Sequence, residues 1–190
     1  MSTGRLEAFS DGVLAILITI MVLDLRPPHG TMLVDLYRLW PIFLTYALSF
    51  VYLGIYWNNH HHLLNRTSTV TGGILWANLN LLFWLSLFPF TTGWVGENHF
   101  AKVPTRVYGV VLLLAALAYY VLQSVIVAHE GRDSQLAQAL GRDWKGKVSP
   151  ILYCVGIALG FWEAWAALTM YVVVALIWVI PDRRLERPAV

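Results

Sequence analysis

Polar side chains gather in a few short stretches of an otherwise apolar chain, and their spacing bounds the chemistry they could do. Arg5, Glu7, Ser10 and Asp11 open one apolar run, and Asn58-Asn59-His60-His61-His62 closes the next. Three consecutive histidines invite a metal. Adjacent helical residues project about 100° apart, however, so His60, His61 and His62 cannot all reach one ion while the helix holds. His99 and His129 stand at no fixed spacing from them, and no carboxylate or second-cysteine pattern completes a zinc set. No metal and no cofactor is expected. Hydrogen bonding between helices suits these residues better: His60 or His61, with Trp57, could reach Ser10, Asp11 or an asparagine of the third apolar run, Asn78 or Asn80. Asp11 and the histidines could instead pass protons, as in a proton-coupled carrier, and titration of the histidines would make either arrangement sensitive to pH. Catalysis has no constellation to use. The chain has no HExxH, no GxSxG and no glycine-rich nucleotide loop, so no catalytic residue is assigned and an enzyme is not expected.

Composition says where these groups must sit. Of 190 residues 58% are hydrophobic and 13% charged, about half the charged fraction of a soluble domain. The chain is therefore expected to be an all-α integral membrane protein crossing the bilayer several times, in contact with lipid and not with nucleic acid. Nine tryptophans and nine tyrosines suit the two interfacial belts. The single Cys154 rules out an intrachain disulfide framework. The run from Gly12 to Leu23 is followed by Asp-Leu-Arg-Pro-Pro and not by a small-residue cleavage site, so the first helix is expected to be retained.

A crossing helix needs about 20 residues for roughly 30 Å of hydrocarbon. A helix capped at Ser10 would have too few before Asp24, so the first span should cover 5–25 and carry Arg5, Glu7, Ser10 and Asp11 on itself. Ionisable groups there cost about 2–3 kcal/mol each and need partners or water. Pro27, Pro28 and Gly30 end this span. Further spans are read at 35–59, at 70–95 with a kink at Pro89, and at 105–129. Glu130 to Lys147 reads as a solvated loop or short interfacial helix. Ser149-Pro150 then looks like a helix start. Pro150 to Ile180 is 31 residues, too long for one comfortable span, and dividing it gives 149–161 and 164–181, with Glu163 in the turn. Six spans with both termini cytoplasmic put nine lysines and arginines inside and four outside, whereas five spans would export the terminal arginines. Gly156 and Gly160 form a GxxxG spacing for close packing. The whole of 1–190 reads as a single transmembrane domain without internal repeats.

The first helix has two unlike faces. With Ile16 at zero on a wheel of about 100° per residue, Phe9, Thr19, Ile20 and Leu23 share its side, and Arg5 lies there too. Ser10 and Asp11 fall on the far side. Periodicity leaves open whether the branched stripe meets lipid, a neighbouring helix or a symmetry axis.

Arg5-x-x-x-Phe9-Ser10-Asp11 ahead of an apolar helix resembles the signature of the transmembrane protein 175 family, endosomal and lysosomal potassium channels with prokaryotic relatives. Tyr56-Trp57-Asn58-Asn59-His60-His61 is similar to that family's ending of the second helix. Asn78 or Asn80, Ser86 and Pro89-Phe90 extend the likeness into the third. The resemblance covers the N-terminal half in order and spacing, and the last two helices match only by length and hydropathy.

The resemblance implies six helices per subunit and, for a single-repeat prokaryotic form, a homotetramer whose first helices line a central pore. It implies passage of monovalent cations with potassium favoured over sodium, and residence in the cell membrane if the source is prokaryotic. Ile16 and Leu23 would form the constriction, with Thr19 or Ile20 as an intermediate layer. A ring of such side chains closes a pore by excluding water. A threonine layer offers hydroxyl oxygens in exchange for part of an ion's hydration shell. The chain lacks a TVGYG-type loop, so a filter of carbonyl rings is not expected. A secondary transporter using Asp11 and the His60–His62 cluster is the competing expectation, and it would need a midplane cavity within one subunit.

Overall fold

A computed structural model describes residues 2–131, 134, 137 and 144–179, and every regular element among them is helical. Helix α1 spans Thr3–Leu23, α2 Leu33–Tyr37, α3 Trp40–Leu64, α4 Gly72–Ser86 and α5 Phe88–Glu97. Helix α6 spans Lys102–Glu130, α7 Trp144–Leu159 and α8 Ala164–Val179. Among the described residues four segments are long and apolar enough to cross a membrane: α1, α3, α4 continued by α5, and α6. Helix α8 is a shorter apolar helix. Arg132, Arg142 and the arginines beyond Val179 lie outside the described residues, as does most of the hydrophilic stretch after Glu130.

Local chemistry sets the element ends. Helix α1 is 21 residues long, about 31 Å at 1.5 Å per residue. It stops at Asp24, ahead of the proline pair. Pro41 sits in the first turn of α3, where its missing N–H is not needed. Thr71 caps α4 by accepting from the Ile74 N–H at 3.3 Å. The third span breaks at Leu87, with Pro89 in the first turn of α5, because proline cannot donate into the preceding turn. Between α5 and α6 the chain turns sharply through His99 and Phe100, at φ 50° and 59°. That left-handed pair seats the buried Phe100 ring 4.7 Å from Trp165 and 5.3 Å from Trp40.

Ser149-Pro150 is not a helix start. Pro150 lies inside α7, which already runs from Trp144. The Ser149 hydroxyl donates to the Lys145 carbonyl at 2.7 Å and accepts from Trp178 Nε1 at 2.8 Å. Those bonds occupy it as a link between α7 and α8, where a cap would have faced its own next turn.

The core runs between α3, α4, α5, α6, α7 and α8, and α1 adds Leu6, Leu14, Leu17 and Met21 to it while packing against α3, α4 and α5. Tyr171 of α8 fills a slot that exists because Gly109 and Gly156 lack side chains, since a Cβ at either would collide with its ring. Gly160 likewise admits Arg106 and Ala167. Three buried hydroxyls pair across helices: Ser49 meets Thr92 at 2.6 Å and Tyr108 at 2.9 Å, joining α3, α5 and α6.

Candidate functional site

Helix α1 divides along its length as its periodicity requires. Leu6, Ser10, Leu14, Leu17 and Met21 are buried, recurring every three or four residues toward α3, α4 and α5. Phe9, Ile16, Thr19, Ile20 and Leu23 form the uncovered side, with Ile16 57% and Leu23 74% exposed. Arg5 and Gly12 lie on the same exposed arc. Of the four long spans α1 is the least covered by its own subunit: 28% of its apolar window is buried, against 44% for α6. Thr19 donates its hydroxyl proton to the Ile16 carbonyl at 2.8 Å. Its oxygen lone pairs are thereby left for whatever faces the helix.

The buried side is held by one hydrogen-bonded chain. His60 Nε2 donates to Asn78 Oδ1 at 2.6 Å. Asn78 Nδ2 donates to Ser10 Oγ at 3.0 Å, and Ser10 donates to the Leu6 carbonyl at 2.9 Å. His60 is 1% exposed, and Asn78 and Ser10 are fully buried. Three helices, α3, α4 and α1, thus meet through three polar side chains, with His60 Nδ1 buried and without a hydrogen-bond partner. Apolar burial does not favour one helix pairing over lipid contact, so such bonds carry register, at about 0.6–2 kcal/mol each.

A second link lies one residue on. His61 Nδ1 donates to Glu7 Oε1 at 2.6 Å, while its Nε2 accepts from Asn65 Nδ2 at 2.9 Å. Trp57 does not enter either bond; it is half exposed and stacks on the His61 ring at 6.2 Å. His62 meets His61 edge-on at 5.6 Å. The three histidines thus have separate surroundings, and among the described residues no three His, Cys, Asp or Glu side chains are grouped to hold a metal. Asn80 faces outward, away from Asn78, and Ser86 bonds its own helix at the Phe83 carbonyl. Asp11 stays outside the network, with Oδ1 buried and without a hydrogen-bond partner. The Glu7–His61 and Ser68–Glu130 links were not singled out from sequence. Glu130 accepts from both the backbone N–H and the hydroxyl of Ser68, at 2.8 and 2.9 Å, and ties the end of α6 to the turn after α3.

Apolar spans joined by buried polar side chains, with one span largely uncovered, define a multi-span helical protein of the membrane. Comparison with known proteins narrows this further. Residues 5–89 match the family model described as endosomal/lysosomal potassium channel TMEM175. A protein of Chryseobacterium sp. (strain P1-3) named a potassium channel is 52% identical over 187 residues, covering 98% of this chain and 97% of that one. Another potassium channel by name, from Streptomyces collinus (strain DSM 40733 / Tue 365), is 34% identical over 128 residues, 63% of this chain and 62% of the other. The crystal structure of a lysosomal potassium-selective channel TMEM175 homologue from Chamaesiphon minutus aligns with a TM-score of 0.83. The two are 29% identical, with 96% of this chain and 97% of that chain covered. The chain belongs to the TMEM175 family. Members and relatives carry the names of channels, not enzymes.

Proposed function

We propose that the protein is a potassium-permeable cation channel, assembled as a homotetramer with six membrane crossings per subunit and both termini cytoplasmic. Helix α1 of each copy lines the shared axis, and the pore contains no cofactor beyond the permeant ion. One observation carries the reading: the uncovered face of α1 is a continuous apolar stripe from Phe9 to Leu23, broken only by small residues and Thr19. The names of the bacterial relatives and the structural likeness support it.

Physically, Ile16 and Leu23 sit two turns apart, about 10 Å along the axis. Four copies of each would form two apolar rings. Entering hydrocarbon uncompensated costs an ion tens of kcal/mol, so a narrow ring is shut by dewetting and opens by modest widening. Between them Thr19 would present oxygen lone pairs and Ile20 would set the width. The His60–Asn78–Ser10 chain would hold α1 in register so that all four stripes face inward. Arg5 stands on the same face near the polar end of the helix.

Flux through the purified protein in liposomes tests the proposal. Potassium efflux faster than sodium efflux, independent of a proton gradient, is the expected result. Absence of flux refutes a channel, and strict exchange for protons would make the protein a carrier. Sizing in mild detergent should return four copies.

A further inference from the structure

Helix α1 is covered on one flank and bare on the other. With Ile16 at zero, its buried residues from Leu6 to Met21 fall at about +80° to +160°. There Ser10 meets Asn78 of α4 and Met21 meets Thr92 of α5, while Glu7, at about 180°, meets His61 of α3. Gly4, Ala8, Ala15 and Val22 fall at about −80° to −120°, and all four are exposed. Asp11, at about −140°, borders this bare flank, with Oδ1 unpaired. In the proposed four-fold ring, on which this inference rests, each copy is rotated onto the next. The copy standing beside the bare flank therefore presents the opposite side of its own α1, and that side is shielded by its α4. What arrives at the bare flank is the outer face of α4.

That face has a polar residue at its centre. Asn80 lies about 200° around α4 from Asn78, is exposed, and bonds no described residue. It stands about 12 Å along a span of 26 residues, inside a hydrocarbon layer about 30 Å thick. Facing lipid at that depth, its amide would meet no partner. Trp76 and Phe83, 75% and 54% exposed, flank it on the same face. The contacts Asn78–Ser10 and Thr92–Met21 show that α4 and α5 run parallel to α1 and fix their relative height. In that register Trp76 is level with Ala8 and Phe83 with Ala15. Asn80 stands about 1.5 Å beyond Asp11, within reach of its side chain. Large side chains thus oppose small ones, and an amide with two free donors opposes a carboxylate oxygen without a donor. We propose that the outer face of α4 docks on the bare flank of α1 in the next copy, with Asn80 Nδ2 donating to Asp11 Oδ1.

Disulfide trapping tests the contact in the full chain with Cys154→Ser, which leaves no other cysteine. Ala15→Cys and Phe83→Cys in one chain, oxidised in membranes with copper phenanthroline, should give a ladder of linked copies ending at four. Val172→Cys on the exposed side of α8, in place of Phe83→Cys, should give none. Asn80→Leu should lower the fraction of tetramer in mild detergent at least twofold. Asn80→Asp sets carboxylate against carboxylate and should lower it further, and adding Asp11→Asn should restore it. If the outer face of α4 meets lipid, the disulfide ladder is absent, Asn80→Leu leaves the tetramer intact and Asp11→Asn rescues nothing. Any of these results, in a protein that still sizes as four copies, overturns this contact and leaves the channel reading standing. A wild-type protein that sizes as a monomer overturns the ring and this contact with it. Should Asn80→Asp fail to fold, the disulfide ladder still decides the contact.

Discussion

Replacing Asn78 by leucine keeps the branched shape of the side chain and deletes both of its hydrogen bonds. His60 Nε2 then has a proton in a site that is 1% exposed, with no acceptor at the 2.6 Å position. Ser10 loses its donor but keeps its own bond to the Leu6 carbonyl. Stranding a buried donor costs about 1–3 kcal/mol, and the lost link to Ser10 adds about 1 kcal/mol. Asn78→Leu should therefore destabilise the fold by about 2–4 kcal/mol. Ser10→Ala strands Asn78 Nδ2 instead and should cost about 1–3 kcal/mol. In the double variant the shared bond is lost only once, so the combined cost should fall short of the sum by about 1 kcal/mol. Equilibrium unfolding of all four proteins in mixed micelles measures this, with tetramer yield on a sizing column as the second readout. Additivity within about 0.3 kcal/mol would mean that the two residues are not coupled and that α1 is held by packing alone.

The remaining predictions use the same preparations. Ile16→Ala and Leu23→Ala should each raise resting potassium flux in liposomes or lower its preference over sodium, and unchanged flux in both removes the apolar constriction. Gly109→Ala places a methyl group in the slot of Tyr171 and should cost about 1–3 kcal/mol through overpacking. Gly54→Ala, where a Cβ meets nothing within 4 Å, should be neutral or stabilise α3 by up to about 1 kcal/mol; equal costs in unfolding assays would contradict the packing described. Thr92→Val leaves Ser49 and Tyr108 to pair with each other, so its cost should stay near 1 kcal/mol, whereas Ser49→Ala should exceed it because both partners then lose a bond.

Hydropathy alone sufficed for the membrane class and for helices at each apolar run, because crossing the bilayer demands length and internal backbone pairing whatever the neighbours are. The two faces of α1 were equally legible, since angular position about a helix axis follows from residue number. What periodicity lacks is the identity of the element each face meets. Asn78 and Asn80 carry the same side chain two residues apart, yet one joins His60 to Ser10 and the other faces outward. Ser149 has the local sequence of a cap and instead joins α7 to Trp178. Asp11, the most conspicuous carboxylate on α1, stays out of the network, while Glu7 one turn before it reaches His61. Pairwise distances between helices depend on tilt, rotation and the small residues that let them approach, and those are set only when all the helices pack at once.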